Sequence, residues 1–187
     1  MPAGLARSVL KRYHQFFRND IIRRQKEQER TDLGSQVWFS CDQTAGDLSH
    51  WAFIVHDLVE NSFTKYELCK VRSGNVKRDD MHFSETVDGR DGNRYHFRSK
   101  PILLNLDIRK KHILETGYPE DGSFHIGLIG WTHMTREGID GIGDSIMKDF
   151  GKYTLLWNNC QRFLRKLYEG LRNKQAPEAA DYLWFRK

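Results

Sequence analysis

Residues Tyr153–Leu171 read YTLLWNNCQRFLRKLYEGL. Phe163, Leu164, Leu167 and Leu171 fall on one face at helical spacing, so a final helix is expected here. Asn158 or Asn159 suits its N-cap, because a side-chain amide oxygen accepts a hydrogen bond from an unpaired amide of the first turn. That cap places Cys160 in the first turn. Free amides and the positive end of the helix dipole favour a thiolate there and lower the thiol pKa. The same amides suit an oxyanion beside the sulfur. A second reading stays open. Free cysteine is among the most buried residue types, and Cys160 lies in line with Leu164, Leu167 and Leu171.

Upstream, Ile139, Ile142, Ile146 and Phe150 form another helical stripe, with Thr135 as N-cap, Glu137 in the first turn and Gly151 as the stop. GIDGIG, residues 138–143, has the glycines of a phosphate loop but lies inside this helical pattern and lacks a following GK[ST]. Further upstream the period changes to that of strands. VWFSCD (Val37–Asp42), His50 to His56, Phe63–Val71 with a turn near LVENS, RYHFRSK and FHIGLIGW read as strands. The stretch from Ser73 to Asn93 is polar, with DG and GN turn signals, and is expected to be an exposed excursion. PILLNLDIRKKHILET fits strand or helix. A run of strands followed by two helices gives an α+β class with an antiparallel sheet.

Residues 5–30 read as an amphipathic helix, with Leu5, Val9, Tyr13, Phe16, Phe17 and Ile21 at three- and four-residue spacing. Of 30 basic and 25 acidic residues, eight basic and three acidic ones lie in residues 1–30, so this segment alone carries the net +5. The basic pI is therefore weak evidence for nucleic-acid binding, which needs a basic patch on the folded body. A helix docked on the body, a membrane-surface helix and a transit peptide all fit this segment; Asp20, Glu27, Glu29 and the single serine count against the last. DLGSQ (Asp32–Gln36) marks a break, which divides the chain into a basic helix over 1–33 and a body over 34–187. No apolar run reaches the length of a membrane span, and no signal-peptide core is evident. Cys41, Cys69 and Cys160 are odd in number and widely spaced, so a disulfide framework is not expected and a reducing compartment, cytoplasmic or nuclear, is. No His or Cys pair has zinc-ligand spacing, and no cofactor is expected.

A reactive Cys160 needs a base. His50 starts a strongly patterned strand, and His56 shares its face by parity. Glu67, on the neighbouring strand, is a candidate to orient the imidazole, although an exposed hairpin glutamate is the commoner meaning of such a residue.

SHWAFIV followed much later by YTLLWNNCQRFL resembles the circularly permuted papain-like cysteine enzymes, a group that includes the PPPDE peptidases and the lecithin:retinol acyltransferase-like proteins. In that pattern a His opens a strand, further strands follow, and an Asn-Asn-Cys-type segment opens a helix. The resemblance puts the family's His on His50 and its nucleophile on Cys160. Gln161 and Phe163 follow the Cys, Tyr153 and Leu155 precede it, and MKDFGKY resembles the exit of the preceding helix. Gln161-Arg162 departs from the Glu-His or Asn-His pair common in the family, and no motif fixes a third catalytic residue. The implied activity is a cysteine-dependent hydrolase acting on amide or isopeptide bonds of a protein substrate, with ubiquitin-like conjugates as one class. The alternatives are an acyltransferase or phospholipase at a membrane surface, touching it through residues 5–30, and a catalytically silent binding module. The silent module predicts a buried Cys160 with His50 out of its reach.

Overall fold

The computed structural model describes residues 30–42, 50–71, 79–102, 124–154, 159–179 and 182–186. The helix expected over 5–30 and most of PILLNLDIRKKHILET lie outside them. A short 3-10 turn, Thr31–Leu33, leads to Gly34, whose φ of +97° suits glycine and marks the expected break. Six strands follow: β1 (Ser35–Asp42), β2 (His50–Asp57), β3 (Ser62–Lys70), β4 (His82–Asp88), β5 (Arg94–Pro101) and β6 (Phe124–Thr132). Then come helices α1 (Arg136–Lys148), α2 (Cys160–Leu171) and the short α3 (Tyr182–Arg186). The strands form one sheet in the order β4-β5-β3-β2-β1-β6, and all its pairs are antiparallel. The fold is α+β.

The stretch expected to be an exposed excursion holds a strand. Residues 82–88 pair with β5 as an edge of the sheet. An edge strand needs little apolar content, because neither face is fully covered, and that hid β4 from a hydropathy reading. Around it the turn signals hold. Gly92 takes φ +75°, and Asp91 accepts from the Asn93 amide at 3.1 Å.

The side chains of β2 alternate between two apolar layers. Trp51, Phe53 and Val55 join Val37, Phe39, Tyr66, Leu68, Tyr95 and Phe97 beneath the helices. Ile54 lies on the other face, with Leu33, Trp38, Phe63, Leu128 and Trp131. Both α1 and α2 pack on the first layer. Ile139 and Met147 reach it from α1, and Phe163, Leu164, Leu167 and Leu171 from α2. The close approach of α1 rests on Gly143, where an added Cβ would stand 2.2 Å from Phe97. The aromatic tail closes the same layer, with Phe185 of α3 against Phe39, Trp51 and Phe53 at ring separations of 5.4, 6.0 and 5.5 Å.

Both helix starts follow their cap residues. The Thr135 hydroxyl accepts from the Gly138 amide at 3.2 Å. The Asn159 amide oxygen accepts from the Arg162 amide at 3.1 Å. GIDGIG is part of α1, and α1 ends at Lys148, three residues before Gly151, which takes φ +69° in the turn beyond. Among the described residues no helix is long and apolar enough to cross a membrane.

Candidate functional site

Cys160 is the first residue of α2, directly after the Asn159 cap. The chain entering α2 is tied to the β4–β5 turn. The Tyr153 amide donates to the Asp88 carbonyl at 2.8 Å, and the Arg90 amide donates to the Tyr153 carbonyl at 3.0 Å. The Tyr153 ring stacks on Tyr95 with centroids 3.8 Å apart, and the Tyr95 hydroxyl donates to Asp91 at 2.6 Å. Burial first, then the neighbouring Cys160 and Asp91, push the Tyr153 phenol up to about 12. Tyr153 therefore borders Cys160. The resemblance gives Tyr153 only as a lead-in position.

His50 opens β2, as expected, and its Nε2 lies 2.8 Å from Glu67 Oε2. Glu67 is not an exposed hairpin residue: its side chain is 2% exposed. Lys65 Nζ reaches Oε2 at 2.7 Å, and Arg98 grips Oε1 through Nη2 and, at 3.1 Å, Nε. Burial alone would raise the Glu67 carboxyl. Hydrogen bonds from His50, Lys65 and Arg98, with the Lys65 charge, outweigh it and hold the carboxyl well below its usual range. The group is an anion that fixes the imidazole, the part a third catalytic residue would play.

His56, the other candidate on this strand face, is engaged elsewhere. It stacks on Phe63 at 4.1 Å and bonds Asn61 Oδ1 at 2.9 Å.

Comparison with protein-family models, with curated proteins and with solved structures finds no match. The site's meaning therefore rests on its geometry.

That geometry brings His50 and Glu67 together and separates them from Cys160. The register pairs Ala52 with Glu67, and His50 shares the parity of Ala52 and Ile54. These residues project away from the helices. Cys160 is 8% exposed and packs in the layer under α2, with Trp51 and Phe53 of opposite parity. Thiol and imidazole thus lie on opposite faces of the sheet. They are near one rim of it: His50 starts β2, and Tyr95, which carries Tyr153 and so Cys160, lies at the start of β5. The cysteine that shares the face of His50 is Cys69, paired in register with His96. Burial pushes its thiol up to about 11, away from nucleophilic character at neutral pH.

Sequence reasoning missed Lys65 and Arg98 as the partners of Glu67. The signal was present. In TKYELCK and RYHFRSK the charged residues alternate with Tyr66, Leu68, Tyr95 and Phe97, which predicts a charged face and an apolar one.

Proposed function

We propose that this chain is a cysteine-dependent hydrolase of permuted papain-like type, acting on amide or isopeptide bonds of a protein substrate. The observation that carries the proposal is the imidazole of His50 held at 2.8 Å by a buried, ionised Glu67. A capped helix whose first residue is Cys160 adds to it. In this reaction His50 takes the Cys160 proton, and the thiolate attacks the substrate carbonyl. First-turn amides of α2 hold the oxyanion. Collapse expels the amine, which takes the proton from the imidazolium and leaves a thioester. Water, deprotonated by His50, then releases the acid and restores the thiol. Transfer to a second acceptor, as in the acyltransferase alternative, differs only in this last step. The proposal has one geometric requirement: His50 must leave Glu67 and reach around the rim to the face of Cys160, so the Glu67-held imidazole is the resting arrangement.

A second reading is favoured by the burial of Cys160 and by the pleat that directs His50 away from it. In this reading the chain is a binding module on the same architecture, with Cys160 as a core residue.

The rate of alkylation of each cysteine by iodoacetamide, followed across pH by mass spectrometry, separates the two. For the hydrolase, Cys160 reacts fastest near neutral pH and slows roughly tenfold or more in His50→Ala, as its thiolate fraction falls. An inert Cys160, or one indifferent to His50, sinks the hydrolase and leaves the module.

A further inference from the structure

The outer face of β3 and β5 carries more positive charge than its own residues neutralise. Arg94, His96, Arg98 and Lys100 alternate along β5 and so project from one face. Lys65 and Glu67 of β3 share that face, in register with Lys100 and Arg98. Two ammonium groups therefore start from directly opposed positions, which is destabilising unless something offsets them. Glu67 is already shared by Lys65, Arg98 and His50. Lys100 makes no ion pair among the described residues, and burial followed by the Arg98 charge lowers its pKa. Solvent reaches the group: the side chains of Lys65 and Arg98 are 25% and 18% exposed. Arg98 gives Nε and Nη2 to Glu67, which leaves its Nη1 side for an outside oxyanion.

We propose that this face holds the phosphate group of a ligand, with Lys100, Lys65 and Arg98 as its cationic partners. Arg94 faces Asp88 in register, so the surplus of two is that of Lys65, Arg98 and Lys100 over Glu67. A dianionic phosphate matches it better than a carboxylate does, and its three terminal oxygens suit donors arriving from two strands. The site does not depend on Cys160, and it stands whether the chain is a hydrolase or a module.

The test uses inorganic phosphate as the probe on the full chain, with chloride at matched ionic strength as control. Phosphate should raise the Tm of the parent beyond the chloride value. Lys100→Gln should remove most of that increment, and Lys100→Arg should keep it. In chloride alone Lys100→Gln should melt no lower than the parent, since it removes a repulsion. Vesicles bearing a phosphomonoester headgroup identify the source. Vesicle binding that inorganic phosphate displaces assigns the group to a lipid, and phosphate binding without vesicle binding assigns it to a soluble ligand. An equal phosphate increment in parent and Lys100→Gln, or one no larger than that of chloride, overturns the site.

Discussion

Glu67→Gln is the most informative single change. The carboxylate is 2% exposed and meets His50, Lys65 and Arg98. Gln keeps the shape and removes the charge, so the cations face each other with no counter-charge. Removing one partner of a buried ion pair costs about 3–5 kcal/mol, because the other charge stays buried without compensation. At about 2–4 °C per kcal/mol for a chain of this size, Tm should fall by about 6–20 °C. The assay is thermal unfolding followed by far-UV circular dichroism, repeated from neutral to acid pH. The folded-state carboxyl titrates below its unfolded value of about 4.3. Its contribution is therefore complete above that pH and drains away as pH falls toward the folded-state pKa. Parent and variant should thus differ most near pH 7, begin to converge below about pH 4 and go on converging as the pH falls further. A loss under about 1 kcal/mol at pH 7 would mean that these pairs act as surface pairs do. A gap that persists unchanged into acid would show that the loss is steric rather than electrostatic. Either result refutes the reasoning.

Two further predictions concern the helices. Gly143→Ala should destabilise by about 1–3 kcal/mol in chemical denaturation despite alanine's better helix propensity, because its Cβ would stand 2.2 Å from Phe97. Asn159→Ala should cost about 1 kcal/mol by loss of the cap to Arg162, while Asn159→Asp should keep most of that stability.

The parts of the fold legible in the sequence were those with strong periodicity. The Thr135 cap, the Phe163–Leu171 stripe and the β2–β3 hairpin each carry a local signal, and local physics decides them. β4 was illegible because an edge strand has no apolar face to show. The relation of His50 to Cys160 was illegible for a different reason. Trp51, Phe53 and Val55 occupy one face of β2 and Ala52 and Ile54 the other, so both faces are apolar and hydropathy does not say which one the helices cover. Helix α2 settles on the face of Trp51, where Arg165 lies 5.6 Å over its ring. Parity within β2 was readable, and it grouped His50 with His56 correctly. What the sequence lacked was the long-range choice of face, which depends on how larger side chains from distant segments fill one layer. The burial of Glu67 was not legible, because its pairing with Arg98 depends on a strand register that the sequence does not show.

The strand order also bears on how the chain assembles. β1 to β5 are contiguous in sequence and occupy five adjacent places in the sheet, but β6 joins on the far side of β1, pairing Ser35 with Thr132. Until β6 emerges from the ribosome, β1 is a bare edge carrying Val37, Trp38 and Phe39. An uncapped apolar edge invites pairing with another chain, and closing such a distant contact slows folding. Nascent chains stalled with β6 still inside the ribosome should therefore depend on chaperones more than chains stalled with Phe124–Thr132 fully emerged.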